Sequence, residues 1–300
     1  MGKLTYNMRK YWPLYVMALP GTLYFILFKY IPLGGSVIAF QDYSVFKGIN
    51  GSPWVGFKHF TSLFEYPDFY RVLRNTLVMG FLRVTFMFAV PLILALMINE
   101  IRHSLMKKGV QTALYIPHFL SWVIIAGIAF EMTSLSGLVN TVRGWFGLES
   151  MLYMQMESYF RPIFVLTGLW KDAGWGTIIY LAALSGINPQ LYEAAVVDGA
   201  SRLKQILYIT FPMILPTAAI LFLLDIGNFM ELGFEQVYNL LTPMTYSVGD
   251  IFDTYVFRTG IQQAQYSFAT AVGLFQAVVG MVLVIVFNKL SKKYSNGGLW

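Results

Sequence analysis

Long apolar runs alternate with shorter polar segments along the whole chain. A helix needs about 20 mostly apolar residues to cross a hydrocarbon core. Runs of that order occur at residues 13–33, 70–98, 111–132, 160–184, 214–233 and 268–288. Backbone groups in lipid must find partners within their own segment, so runs this long are predicted as helices. The two-residue alternation of a membrane barrel is absent. The pattern predicts an all-α polytopic membrane protein with six transmembrane helices, residues 1–300 forming a single transmembrane domain. The first run follows Lys3, Arg9 and Lys10, as a signal peptide would. Its apolar part is too long and no small-residue cleavage site follows, so it is expected to be a retained helix, with Pro20 and Pro32 as kinks.

The connecting segments are unequal. With the N-terminus inside, eleven basic residues fall in cytoplasmic segments and five in outer ones. Basic residues favour the cytoplasmic side, so both termini are expected there. Outer segments 34–69 and 234–267 are long and rich in aromatic residues, Gly and Pro. Their Tyr and Trp suit either a membrane interface or a partner surface, and 242–262 is expected to dip partly into the membrane as a short helix. The inner segment 185–213 is too ordered for a plain connector. Asn188-Pro189 is a helix start, Gln190 to Asp198 are good helix formers, Gly199 is a helix stop, and Ser201 can cap a second helix running to Phe211-Pro212 and Pro216. The exposed apolar residues Ala194 to Val197 fit a docking element, or a helix lying among headgroups.

Composition narrows the function classes. Apolar residues make up 57% of the chain and charged residues 12%, against about 25% charged in soluble domains. A soluble enzyme, a disordered tail and a coiled coil are thereby set aside. No cysteine is present, so thiolate chemistry is out. The net charge of +6 reads as orientation rather than nucleic-acid binding. His59, His103 and His118 are scattered, no H-E-x-x-H or G-x-S-x-G occurs, and His118 beside Pro117 reads as a helix-end residue. No phosphate-binding G-x-x-x-x-G-K-[ST] loop occurs, so nothing in this chain is expected to cradle a nucleotide's phosphates.

Glu193-Ala194-Ala195, then Gly199, Ile209, Phe211 and Pro212, resembles the EAA loop of bacterial ABC importer permeases, with Phe211 where Leu is usual. Val55 to Phe60, Asp68-Phe69 and Asn75-Thr76 resemble the outer segment before the second span in sugar permeases of that superfamily. Trp175 to Ala200 and Gly227 to Pro243 are similar to permeases of complex-oligosaccharide importers. The resemblance implies a type I ABC importer fold in the bacterial cytoplasmic membrane. It implies a second related permease, two ATPase subunits that bind ATP and Mg, and an extracytoplasmic solute-binding protein, and no cofactor in this chain. It makes 185–213 a coupling loop. Glu193 would offer a carboxylate to the ATPase, Ala194 and Ala195 close approach, Gly199 the bend, and Pro212 the angle into the fifth span, with Asp198 and Ile209 as further coupling residues. Segments 34–69 and 234–267, with Trp54, would meet the binding protein.

Ionisable groups inside a span are functional candidates. Arg83, Lys171, Asp172, Asp225, Asn228 and Glu231, with the aromatic Trp170 and Trp175, form the candidate sugar path. Asp225, Asn228 and Glu231 are expected on one helical face. Asp172 or Asp225 could instead pair with Arg83 or Lys171 to hold helices together, and the two cations could instead hold a uronate carboxylate. Ala269, Gly273 and Ala277 read as a packing face. An ion-gradient-driven secondary transporter is the rival reading. It favours an inverted repeat, which is not seen.

Overall fold

The computed structural model describes residues 3–295. Among the described residues the regular elements are all helical, apart from one isolated bridge between Gln41 and Trp54. It falls into two compact units, one comprising residues up to Glu65 with Val256–Leu274, the other Tyr66–Tyr255 with residues from Phe275 onward.

In the first unit, α1 (Lys3–Phe25) continues through a π turn at Ile26–Tyr30 and on to a 3-10 turn ending at Phe40. Its non-helical residue is Tyr11, two positions before Pro13. A kink is therefore found at Pro13 rather than at Pro20. Proline removes an N–H and crowds the preceding turn, and at Pro32 the π turn takes up that loss. Phe40, Phe57 and Phe60 form an aromatic cluster beneath the bridge. Asp42 accepts from Lys58 Nζ at 2.8 Å, at the start of α2 (Lys58–Glu65). That hydrogen bond is the main cause holding the Asp42 carboxyl below its usual range. Tyr43 N–H donates to Ser267 Oγ at 2.9 Å.

The second unit is built on α3 (Pro67–Asn99) and, further along the chain, a 29-residue helix Glu157–Ser185. Asn75 meets Arg161 near one end of the pair, and Pro91 lies against Gly176 further along. The two helices therefore run in the same direction. The chain between them must cross back, and α4 (Ser104–Tyr115) and α5 (Trp122–Met132) make that crossing. They are not one helix, as residues 111–132 were expected to be, but are bent by 104°. Pro117 opens a 3-10 turn at Ile116–Phe119, Leu120 is extended, and Ser121 Oγ caps α5 by accepting from Ile124 N–H. Counted this way, the bent pair makes a fifth crossing beside the four long apolar helices found among the described residues. After α6 (Leu138–Trp145) comes α7, the Glu157–Ser185 helix. It has the length of a span but carries Arg161, Lys171 and Asp172. Backbone approach fixes α7 against α4: a methyl at Gly174 would run into Leu114 O.

The loop end of the bundle packs Leu92, Ala95, Leu184, Ile214 and Ala218. The far end packs Met79, Phe160, Phe164, Val237 and Ile251. Beyond the short helix α8 (Pro189–Val197), a π turn at Ile206–Thr210 leads into α9 (Phe211–Gly227). Pro212 therefore does not break the inner helix. The wider turn accommodates its missing N–H, and Phe211 N–H reaches back to Ile206 O. The helix ends at Gly227, short of the expected 233. Asn228 to Met230 turn, and the chain resumes as α10 (Phe234–Leu240). Asp225, Asn228 and Glu231 therefore do not share a helical face. Residues 242–262 form a string of short helical turns rather than one helix, and α11 (Tyr266–Ser295) closes the described chain.

Candidate functional site

The inner loop folds by its own caps. Asn188 Oδ1 accepts from Gln190 N–H at 3.0 Å and Pro189 occupies the first turn of α8. At the other end Gly199 N–H bonds Val196 O and Ala200 N–H bonds Ala195 O. This closure needs a left-handed residue, and Gly199 supplies it with φ +73°. Ser201 then caps the helix that leads to the π turn. The loop is fastened at two points: Tyr192 Oη bonds Thr210 Oγ1 at 2.9 Å, and Arg202 pairs with Glu100 at 2.9 Å, at the end of α3. Ile209 packs on the bundle core. Glu193, Ala194, Asp198, Gly199 and Pro212 are exposed and Ala195 is half-buried. Val196 and Val197 are 62% and 86% exposed, so this capped helix presents apolar side chains outward.

A second constellation sits mid-bundle. Arg83 is the middle residue of α3 and Lys171 the middle residue of α7. Lys171 is buried and spends two of its three donors on the carbonyls of His118 and Leu120, closing the bend between α4 and α5. Its ammonium also lies over the Trp122 ring. Asp172 pairs with His118 Nδ1 at 2.8 Å, and the imidazole stacks on Trp175 with 4.4 Å between ring centres. His118 is thus a member of the polar cluster, not merely a helix end. The signal in the sequence was a Pro-His pair inside an apolar run. Neither aspartate pairs directly with Arg83 or Lys171.

Arg83 Nη1 donates to Glu231 O at 2.6 Å, a backbone contact. It lines a cavity of about 100 Å³ together with Asp172, Trp122 and Gln236. Gln236 was missed in the sequence because it falls in a segment read as an outer loop. Trp170, Trp175, Asn228 and Glu231 are exposed and Asp225 is half-buried, and none of these five lines the cavity. Asn75 is buried and donates to the carbonyls of Ser247 and Asp250 while accepting from Arg161, so it pins the turns that follow α10. Thr76 Oγ1 accepts from Phe252 N–H beside it.

Comparison with known proteins places these features. Residues 87–295 match the family described as the binding-protein-dependent transport system inner membrane component. The polygalacturonan/rhamnogalacturonan transport system permease protein YteP of Bacillus subtilis (strain 168) is 50% identical over 96% of this chain and 90% of the relative. Protein LplB of the same organism is 46% identical over 96% of this chain and 91% of that protein. A chain of a bacterial alginate ABC transporter, crystallised with an alginate pentasaccharide-bound periplasmic protein, superposes with a TM-score of 0.91. It is 41% identical, over 99% of this chain and 100% of that one. The outward-facing capped helix, the buried polar centre and these matches agree: the chain belongs to the binding-protein-dependent ABC importer permeases, and is a membrane transport subunit rather than an enzyme.

Proposed function

We propose that this permease imports oligosaccharides across the bacterial cytoplasmic membrane, with both termini and the loop 185–213 on the cytoplasmic side. It pairs with a second, related permease. Two ATPase subunits bind ATP and Mg, and an extracytoplasmic binding protein delivers the sugar to segments 34–69 and 234–267. The observation that carries this reading is the helix Pro189–Val197. It is capped at both ends, fastened to the bundle by Tyr192 and Arg202, and leaves its apolar side chains uncovered. Such a surface beside a rigid mount transmits displacement when a partner grips it. The sugar path runs through the polar centre around Arg83 and Asp172.

The test is co-purification. The wild-type chain should bring down an ABC ATPase, and Glu193→Lys and Gly199→Asp should each abolish that together with ATP-dependent uptake. If both variants kept the ATPase and full uptake, the docking reading would be wrong. Uptake driven by an ion gradient with no ATPase present would instead establish a secondary transporter.

A further inference from the structure

We propose that the mid-bundle cavity is a subsite for the carboxylate of an acidic sugar residue, with Arg83 as its anion-binding group. The inference rests on the importer reading and assigns the chemistry one site within it. Three observations converge on the cavity. First, Arg83 is a cation at the centre of a spanning helix, where an uncompensated charge is costly. Among the described residues its only hydrogen bond runs from Nη1 to Glu231 O. Asp225 and Asp253 feel its charge, yet no carboxylate among the described residues pairs with it. Nη2 and Nε are left as a planar fork, the geometry that grips a carboxylate through two parallel bonds.

Second, Gln236 is only 5% exposed and donates through Nε2 to Phe164 O and Thr167 Oγ1. Those bonds fix the amide through its nitrogen, and Oε1 accepts from no described residue. That oxygen is not one of the sealed, unpartnered polar atoms, so it stays open to a sugar hydroxyl. Third, the chain is irregular where it borders the cavity: Leu232 and Gly233, between α9 and α10, line it. Non-helical backbone at membrane depth is tolerated where it is buried in protein or faces a polar cavity.

The remaining walls suit a pyranose. Asp172 has one oxygen on His118 and the other available to hydroxyls, and Trp122 and Phe86 offer apolar faces to ring CH groups. The volume of about 100 Å³ is smaller than the roughly 150 Å³ that houses a benzene. It admits a carboxylate and the ring edge that bears it, not a disaccharide. One acidic residue of a longer chain is therefore read at a time. A neutral sugar would leave the guanidinium uncompensated.

The test uses the complete importer in proteoliposomes. Trigalacturonate and its fully methyl-esterified form are each supplied at concentrations that saturate the binding protein. Arg83→Gln is expected to slow uptake of the acid about tenfold or more, the loss of a charge-assisted pair, while ester uptake stays within about twofold. Arg83→Lys keeps the charge and should retain the preference for the acid with a raised half-saturation concentration. This second variant decides the matter if Arg83→Gln fails to assemble. Equal slowing of acid and ester by either variant would make Arg83 merely structural and overturn the proposal. So would unchanged acid uptake in Arg83→Gln. If the wild type imports a neutral galacto-oligosaccharide but not the acid, the carboxylate subsite fails alone. If no sugar is taken up on ATP addition, the importer reading fails with it.

Discussion

Replacing Gly199 separates two explanations of the loop bend. Gly199 adopts φ +73°, and a methyl built there would meet nothing within 4 Å. The chain itself therefore places no steric bar on alanine, and the intrinsic cost is the left-handed backbone, about 1–2 kcal/mol for an L-residue. That corresponds to a factor of about 5–30 in the ratio of bent to relaxed loop. Asparagine visits the same region at less cost. The assay is binding-protein-stimulated ATP hydrolysis of the reconstituted importer at sub-saturating ATPase, with thermal unfolding of the permease as control. Gly199→Ala should lower stimulated hydrolysis by about that factor of 5–30 without moving the unfolding temperature. Gly199→Asn should recover most of the loss. If asparagine fell as far as alanine, the cause would be contact with the ATPase and not the backbone angle. If both variants matched the wild type, the bend would be irrelevant to coupling and the reasoning refuted.

Other perturbations follow from the same structure. Lys171→Met removes both bonds that close the break between α4 and α5. It should destabilise the permease by about 1–3 kcal/mol, read as a lowered unfolding temperature in detergent; an unshifted temperature would show that the ammonium holds nothing. Gly174→Ala drives a methyl into Leu114 O and should cost about 3 kcal/mol or more, seen as lost folded yield. Gly127→Ala, where a methyl meets nothing, should stay within about 0.5 kcal/mol of the parent. The Asp42 carboxyl titrates below its ordinary value because Lys58 bonds it. Its contribution is thus present above the unfolded-state value and is lost as pH falls through the lowered one. Amide exchange across residues 41–58, corrected for intrinsic rates, should therefore accelerate only in that acidic window. Acceleration on going from neutral to mildly acidic pH would contradict the assignment.

The parts of this molecule that depend on local chemistry were legible in the sequence. The caps at Asn188 and Ser201 and the left-handed Gly199 follow from side-chain type alone, and the structure has them. The long apolar helices follow from run length. What run length cannot register is a break inside an apolar stretch. Residues 111–132 read as one span because every residue near the bend suits lipid or a helix end. The signals that mattered were Pro117 and a serine before Trp122, which each read equally as a kink. The same blindness placed Glu231 on a helix that ends at Gly227. Tertiary pairing was hidden altogether: Lys171 on two carbonyls, His118 on Asp172 and Asn75 under the turns near residue 250 join residues far apart in the chain. Periodicity carries no information about such partners.

A π turn holds one residue more than the α-helical turn it replaces, so the faces on its two sides are offset by about 100°. Along the stretch from Arg202 to Gly227, Leu203 and Leu207 keep the four-residue rhythm of one stripe, and Thr210, Ile214 and Ala218 keep the rhythm of another. The first pair is exposed and the second set is buried. Drawn on one helical wheel, the two would merge into a single amphipathic band with a false core face at its loop end. The extra residue at Ile206–Thr210 swivels that band, so that leucines continuing the line of the core look outward where the rod emerges from the bundle.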